Sequence, residues 1–311
     1  MNYNYTEITF PSSDGIHTIY ADIYTPKSRT AKGVVQLCHG MRDYVKRYEA
    51  LAEYLTGEGY ILAGNAHLGH GKSVQDDADF GYFADSDGIR YLLKDIHSMN
   101  KYLRATYPTL PLFLMGHSMG SFLARLYAVR HPHSIVGVII HGTAGPNPAV
   151  PFGKLCVGIS KLFHGSRYRS KFLAKLAFFG YNSKFPKEEG GSAWLTRDVS
   201  LVASRDDDPF TKFVFTVGGY GDLFEMLRSS NEKKWFEAYP KDMPTLIMSG
   251  DMDPVGNYGR GPEYVYKRLL LEGASQLTLK LYEGARHELF SESNREEVFR
   301  DMVKWLDGVD K

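Results

Sequence analysis

The sequence has few cysteines, no excess of charge and no long apolar run, and each absence excludes a class of protein. Its two cysteines, Cys38 and Cys156, cannot build a disulfide framework or a cysteine-rich zinc site. The 37 basic and 36 acidic side chains leave a net charge of +1, which gives no electrostatic case for a nucleic-acid partner. No apolar run reaches the roughly 18 residues that span a bilayer. The first residues also lack a signal-peptide pattern, so we expect a cytoplasmic protein.

The composition is that of an ordinary globular protein, with 43% hydrophobic and 23% charged residues. A length of 311 residues exceeds one average domain and suits either one large α/β core or a core with an insertion.

Short apolar strands alternate with helical patterns along most of the chain. Predicted strands cover residues 5–10, 17–24, 33–38, 60–63, 111–115, 135–140, 245–249 and 277–282, and predicted core helices cover 48–55, 89–107, 121–130, 263–271 and 295–306. This alternation predicts an α/β fold with a mostly parallel central sheet, flanked by helices and edged by an antiparallel hairpin. Residues 143–239 break the rhythm and contain short helical patterns at 155–163, 172–179 and 224–227. We therefore predict a core over residues 1–142 and 240–311, with a helical cap or lid over 143–239 inserted between two strands.

Residues 116–120 read Gly-His-Ser-Met-Gly and fit the pattern G-x-S-x-G between a predicted strand and a predicted helix. A nucleophile elbow requires this context, because the turn holds the serine in a strained conformation while the two glycines let strand and helix approach. We therefore predict that Ser118 is a nucleophile.

A serine hydroxyl needs a base, and in this arrangement an acid and then a histidine follow the serine along the chain. Two carboxylates follow the strand 245–249. Asp253 is favoured because Gly250, Asp253 and Val255 fit the usual spacing G-x-x-D-x-V, whereas Asp251 would cap or shape the turn.

The base is expected after the last strand, and His287 follows residues 277–282. It is the only histidine after His164, so the chain order leaves little choice. Asp253 would hold the imidazole in the correct tautomer and stabilise the imidazolium.

An oxyanion hole needs two hydrogen-bond donors. One is expected to be the backbone N–H of Met119, directly after the nucleophile. The other should come from the loop after an early strand, and the strand 33–38 leads to the backbone N–H of Met41.

Several other histidines lie near these segments. His67 and His70 could suggest a metal pair, but no cluster of carboxylates or cysteines accompanies them, so hydrogen bonding within a loop is favoured and no metal is predicted. His39 and His117 flank the predicted oxyanion loop and elbow, where packing or support is favoured over proton transfer.

Taken together, these segments resemble the monoacylglycerol lipases and lysophospholipases, serine hydrolases of the α/β-hydrolase fold in the serine aminopeptidase-like superfamily. The resemblance rests on the order of residues 39–40 with 47–49, then 69–73, 116–121, 250–253 and 285–288. It implies a triad of Ser118, Asp253 and His287, an oxyanion hole at Met41 and Met119, and a helical cap over the pocket.

One position departs from the resemblance. The family usually has an aspartate three residues before the first glycine of its G-H-G loop, and Ala66 occupies that position here, next to Asn65. The missing carboxylate bears on loop geometry and substrate preference, and it leaves the predicted triad unchanged.

The predicted cap mixes basic and apolar side chains. The basic ones are Lys161, Arg167, Arg169, Lys171, Lys175 and Lys184, and the apolar ones are Leu162, Phe163, Phe172, Leu173, Leu176, Phe178 and Phe179. Such a segment would suit a micelle or an anionic lipid surface. The favoured alternative is that the apolar face packs on the core while the lysines are solvated.

We expect an enzyme that hydrolyses small, single-chain acyl esters such as monoacylglycerols or lysophospholipids through an acyl-enzyme, without a cofactor. The alternative is an aminopeptidase-like or amide hydrolase with the same triad, in which the acidic run 206–208 would bind an amino group. A charged surface turn is the simpler interpretation of that run. A non-enzymatic binding protein is disfavoured by the complete triad.

Overall fold

The computed structural model describes residues 3–309, apart from the side chains of Glu188 and Asp206. Within that range, eight strands form one sheet in the order β1-β2-β4-β3-β5-β6-β7-β8. Their bounds are β1 Tyr3–Pro11, β2 Thr18–Pro26, β3 Gly33–Cys38, β4 Tyr60–Asn65, β5 Leu112–His117, β6 Gly137–His141, β7 Thr245–Gly250 and β8 Leu277–Tyr282. The predicted mostly parallel sheet is confirmed.

The sheet has an antiparallel edge and a parallel centre. β1 pairs with β2, and β2 pairs with β4, in antiparallel register, so the predicted hairpin lies at the edge. The remaining neighbours are parallel, with Cys38 opposite Gly116 and His117 opposite His141. The carboxyl ends of β3, β5 and β6 therefore meet at one edge of the sheet, where ligand sites of open α/β sheets form.

Ten α-helices lie within the described residues. They are α1 Glu49–Gly57, α2 Gly88–Thr106, α3 Met119–Arg130, α4 Val150–His164, α5 Lys171–Ala177, α6 Val199–Asp207, α7 Val217–Ser229, α8 Lys233–Ala238, α9 Arg260–Leu271 and α10 Arg295–Gly308. Every residue of strands β3 to β7 is buried, and two hydrophobic clusters cover the sheet. The first includes side chains of α2, α3 and α9, and the second includes those of α1 and α10. None of these helices has the length and apolar character needed to cross a membrane.

Helices α4 to α8 lie between β6 and β7, so the predicted helical insertion between sheet strands is confirmed. We call residues 143–239 the intervening segment. The sequence pattern indicated α4, α5 and part of α7, but it did not indicate α6 or α8. The predicted boundaries of core and cap stay a prediction, because the order of the elements does not by itself define domains.

Candidate active site

Ser118 lies between the last residue of β5 and the first residue of α3, with φ 54° and ψ −119°. This conformation is strained, and hydrogen bonds hold it on both sides. The Ser118 N–H donates to the carbonyl oxygen of His141 at 3.0 Å, and the Ser118 carbonyl accepts from the N–H of Ser121 at 2.8 Å. A Cβ at Gly116 would lie 2.2 Å from the carbonyl oxygen of Gly120, so the turn needs that glycine. The structure thus contains the sharp turn predicted around Ser118.

His287 and Asp253 form a buried pair in the loops that follow β8 and β7. Nδ1 of His287 lies 2.9 Å from Oδ2 of Asp253, and the two side chains are 2% and 0% exposed. Oδ1 of Asp253 accepts the N–H of Val255 at 2.8 Å, which fixes the carboxylate. Because a carboxylate only accepts hydrogen bonds, the proton of the neutral imidazole lies on Nδ1, and Nε2 is left as a base.

The loop after β3 brings a backbone close to the serine. A Cβ at Gly40 would lie 3.2 Å from Cβ of Ser118, so glycine allows this approach. Met41 and Met119 both line the cavity that Ser118 lines. Met119 begins α3, and the first N–H groups of a helix have no partner within the helix. The residues that carry the two predicted oxyanion donors thus line the same cavity as the serine.

His39 supports the loop that carries Met41. Its Nδ1 lies 2.8 Å from the carbonyl oxygen of Gly40, and its Nε2 accepts the N–H of His67 at 3.0 Å. Nδ1 must therefore carry the proton, and burial lowers the pKa of His39 to about 4. Since the carbonyl of Gly40 and the N–H of Met41 belong to one planar peptide, His39 also fixes the direction of that N–H.

His70 supports the next residue in the same way. Its Nδ1 lies 3.0 Å from the carbonyl oxygen of Leu68, and its Nε2 accepts the N–H of Arg42 at 3.2 Å. Burial, together with the nearby His39, lowers the pKa of His70 to about 3. Both ring nitrogens of His70 are therefore occupied by hydrogen bonds, as expected for bonding within the loop. Among the described residues neither ring nitrogen of the buried His67 has a hydrogen-bond partner, so that expectation is wrong for the His67 side chain.

Ala66 does not line the cavity. It is buried, its N–H donates to the carbonyl oxygen of Tyr20 at 2.8 Å, and its carbonyl accepts from Oγ of Ser73 at 2.8 Å. The loop that lacks the aspartate of the family is thus held by backbone hydrogen bonds and by the side chains of His39 and His70.

Four charged side chains form a balanced group beside His287. Arg47 donates to Oδ1 of Asp43 at 2.8 Å and to Oε2 of Glu288 at 3.2 Å, and Arg205 donates to Oε1 of Glu288. Burial raises the pKa of both carboxyl groups, but the guanidinium groups outweigh burial. They lower the pKa of Glu288 to about 2 and that of Asp43 well below its usual range.

The sequence motifs assign no role to any of these four side chains, although Arg47 and Glu288 lie in segments that carry the resemblance. Glu288 directly follows His287, and this position beside the predicted base is a signal in the sequence for a supporting residue. Arg205 lies on α6, a helix that the sequence pattern did not indicate.

Tyr48 connects this group to the elbow. Its hydroxyl donates to Oδ2 of Asp43 at 2.7 Å and accepts from Nδ1 of His117 at 2.8 Å. Burial lowers the pKa of His117, which favours the neutral ring. The support role expected for His117 fits these contacts.

Two rings contact the imidazole of His287. The Trp194 ring lies 5.0 Å from it between centroids, and the His117 ring lies 4.9 Å away. Trp194 also contacts Phe178 and Tyr181, so the intervening segment places an aromatic wall against the histidine.

A cavity of about 280 Å³ joins these groups. It is lined by Ser118 and His287 and by apolar side chains of the intervening segment, among them Val150, Leu176, Phe178, Leu223, Phe224 and Leu227. Small-molecule pockets span roughly 300–1,000 Å³, so this cavity suits a small ligand.

One face of α4 is apolar and exposed. Phe152, Leu155, Ile159, Leu162 and Phe163 are each more than half exposed, and their spacing of three or four residues puts them on one side of the helix. Phe172 and Phe179 are also exposed. The favoured expectation that the apolar side chains pack on the core is therefore wrong for Leu162, Phe163, Phe172 and Phe179, although it holds for Leu173, which is buried.

Three basic side chains of the predicted cap bond to residues of the core. Lys161 donates to the carbonyl oxygen of Asp85 at 2.5 Å, Arg167 pairs with Asp79 at 2.7 Å, and Arg169 donates to main-chain carbonyls. These three therefore fasten the segment to the core.

Residues 29–294 match the family described as "Serine aminopeptidase, S33". The chain belongs to this family. It is similar to the monoacylglycerol lipase of Mycolicibacterium smegmatis, with 26% identity over 97% of this chain and 96% of the relative. It is also similar to human monoglyceride lipase, with 27% identity over 97% of this chain and 93% of the relative.

Solved structures of similar fold include a thermostable carboxyl esterase from Bacillus coagulans. Its TM-score is 0.91 at 28% identity, over 98% of both chains. A monoglyceride lipase from Saccharomyces cerevisiae, bound to a substrate analog, has a TM-score of 0.77 at 21% identity, over 100% of this chain and 97% of the other. At that identity the second likeness shows the fold alone. The α/β-hydrolase fold and the resemblance drawn from the motifs are confirmed, and the protein is an esterase- or lipase-like enzyme.

Proposed function

We propose that this protein hydrolyses single-chain acyl esters, such as monoacylglycerols or lysophospholipids, through a triad of Ser118, His287 and Asp253. The observation that carries the proposal is the buried His287–Asp253 pair, which shares one narrow apolar cavity with a serine in a strained turn. The names of the lipase relatives support the same substrate class.

In the proposed mechanism, Oγ of Ser118 attacks the ester carbonyl while Nε2 of His287 takes its proton. The oxyanion accepts hydrogen bonds from the backbone N–H groups of Met41 and Met119. His287 then protonates the leaving alcohol, and the acyl-enzyme forms. A water molecule activated by His287 releases the fatty acid, and Asp253 stabilises the imidazolium in both halves of the reaction.

The acyl chain would occupy the part of the cavity lined by Val150, Leu176 and Leu223. A volume of about 280 Å³ favours one chain over the several chains of a triacylglycerol. The exposed apolar face of α4 would lie on a lipid surface, where single-chain lipids are present as monomers or micelles.

Substrate class is tested with a fluorophosphonate probe and a series of p-nitrophenyl esters of increasing chain length. We expect the probe to label Ser118 and turnover to depend on chain length, and Ser118→Ala should abolish both. Monoacylglycerol, lysophosphatidylcholine and aminoacyl p-nitroanilides are then compared as substrates. Turnover of the anilides without turnover of the esters would replace the proposal with the aminopeptidase alternative.

The structure offers little support for that alternative. Asp207 is exposed, and Asp208 accepts from the hydroxyl of Tyr44 at 2.7 Å. Neither lines the cavity, and the side chain of Asp206 lies outside the described residues.

Lipid-surface contact is tested by co-sedimentation with vesicles of phosphatidylcholine, alone or with an anionic lipid. Leu162→Ser should weaken binding to both. Leu271→Ser on α9 is the matched control, since the two leucines are 80% and 78% exposed. Equal binding by both variants would contradict the surface contact. Binding that requires the anionic lipid would assign it to the basic side chains instead.

A further inference from the structure

We propose that Arg205 of α6 is a positioning residue that holds both the loop carrying the oxyanion donor and the loop carrying His287, so that docking of α6 assembles the site. The proposal rests on the proposed function, because it assigns Arg205 a role in ester hydrolysis. Arg205 is 9% exposed and lies within the intervening segment, far along the chain from both loops.

The guanidinium of Arg205 reaches both loops at once. One nitrogen donates to Oε1 of Glu288, the residue after His287. Another lies 3.2 Å from the carbonyl oxygen of Arg42 and 3.5 Å from that of Met41. A single side chain therefore joins the loop that carries His287, which we call the base loop, to the loop that carries Met41, which we call the oxyanion loop.

Further bonds join the oxyanion loop to the residues around the end of α6. Nε of Arg42 donates to the carbonyl oxygen of Thr211 at 2.6 Å, and the hydroxyl of Tyr44 donates to Oδ2 of Asp208 at 2.7 Å. Arg42 has φ 55°, a strained value for a residue with a side chain, and such strain persists only where the surroundings hold it. The bonds from α6 supply part of that support.

Anchors from the core and from the intervening segment both act on the oxyanion loop. The core holds the carbonyl of Gly40 through His39 and the N–H of Arg42 through His70. The intervening segment adds bonds from Arg205 to the carbonyls of Met41 and Arg42. Undocking of α6 would remove these bonds and leave Met41, which carries the predicted donor, held from the core alone.

The base loop depends on Arg205 through charge. Glu288 is buried and shares Arg47 with Asp43, so Arg205 supplies the second positive charge for two carboxylates. The N–H of Glu288 also donates to the carbonyl oxygen of Leu195 at 2.7 Å, which ties its backbone to the same segment. A buried carboxylate without its full complement of partners would be driven toward water, and His287 would move with it.

Arg205 also borders the cavity, so direct contact with an anionic substrate is the competing role. A neutral p-nitrophenyl ester separates the two, because it offers no anionic group to bind. The test compares Arg205→Met, Glu288→Gln and the double variant Arg205→Met/Glu288→Leu with the wild type. Arg228→Met is the control, since Arg228 pairs with Glu225 and Glu232 on the protein surface.

We expect Arg205→Met to lower kcat for the neutral ester by about 100-fold, comparable to the loss of one oxyanion donor, with KM within about threefold. Glu288→Gln should lose less, because Arg205 keeps its bonds to Met41 and Arg42. The double variant should recover the melting temperature, because apolar side chains replace a buried ion pair well. It should not recover kcat, since the carbonyl bonds are still missing. Arg228→Met should match the wild type.

Hydrogen exchange of residues 40–48 and 286–292 gives a second readout that needs no activity. Both stretches should exchange faster in Arg205→Met and in the double variant. Any of three results would overturn the proposal. The double variant could recover kcat together with stability, hydrogen exchange could be unchanged in Arg205→Met, or Arg205→Met could raise KM without lowering kcat. A wild type without turnover would refute the proposed function, and the exchange experiment would still decide whether Arg205 holds the two loops.

Discussion

Asp251 and Asp253 lie two residues apart after β7, yet their carboxylates have different partners. Oδ2 of Asp253 lies 2.9 Å from Nδ1 of His287. Oδ1 of Asp251 accepts the N–H of Gly284 at 2.8 Å and so joins the two loops that carry the acid and the base. The same residue type therefore orients an imidazole at one position and shapes a turn at the other, in keeping with the choice made from spacing.

The first prediction uses this pair as its own control. Asp253→Asn should lower kcat by about 10³- to 10⁴-fold, because the amide favours the wrong tautomer of His287. Asp251→Asn keeps an oxygen that can accept from Gly284, so kcat should stay within a few-fold of the wild type. Ester turnover of the two purified variants measures this. Equal losses would mean that Asp253 is not the acid of the triad.

The second prediction concerns pH and the buried histidines. Burial places the folded-state pKa of His39 at about 4 and that of His70 at about 3, below the ordinary value of about 6.5. As the pH falls below 6.5, the unfolded chain therefore takes up protons first. The stability tied to these neutral rings is complete above pH 6.5 and is lost toward pH 4 and 3.

Between pH 6 and 5 each such histidine should remove about 1.4 kcal/mol from the free energy of unfolding. Urea unfolding at the two pH values measures the slope. His39→Asn should reduce the slope by one proton. His133→Asn changes an exposed histidine and is the control. If the two variants have the same slope, His39 is not held neutral.

The third prediction concerns the aromatic wall. Trp194→Ala should lower kcat by about 10- to 100-fold, because the ring that packs on His287 is lost and the imidazole can tilt. Trp194→Phe keeps an aromatic face and should recover most of the loss. Trp305→Phe, a change on α10, is the control. Equal kcat for Trp194→Ala and the wild type would refute the role of the ring.

The sequence was sufficient to predict the sheet and to select the residues of the candidate triad. Their motifs depend on local backbone requirements, such as the glycines beside Ser118, and such requirements are visible in a short stretch of sequence. The side chains that support the site could not be predicted from the sequence. Arg205 and Trp194 reach His287 or its neighbour from a segment with no strand–helix rhythm, through contacts separated by 83 and 93 residues along the chain. No local pattern encodes such a pairing.

The last prediction contrasts two glycines in helices. Gly120 follows the nucleophile by two residues, and a Cβ there would lie 2.0 Å from the carbonyl oxygen of Cys38, which is backbone and cannot step aside. Gly120→Ala should therefore cost about 3 kcal/mol or more of unfolding free energy. Gly158 on α4 is exposed, and a Cβ there would meet nothing within 4 Å. Gly158→Ala should stabilise the protein by up to about 1 kcal/mol, because alanine favours a helix over glycine.

Urea unfolding and ester turnover measured on both variants decide the point. We expect only Gly120→Ala to lose stability and activity. That result would separate the effect of close packing at the elbow from the general effect of adding a methyl group to a helix. A stable and active Gly120→Ala variant would mean that α3 can move away from β3 without disturbing Ser118. The strained turn would then owe its geometry to the hydrogen bond from Ser118 to His141 rather than to close packing.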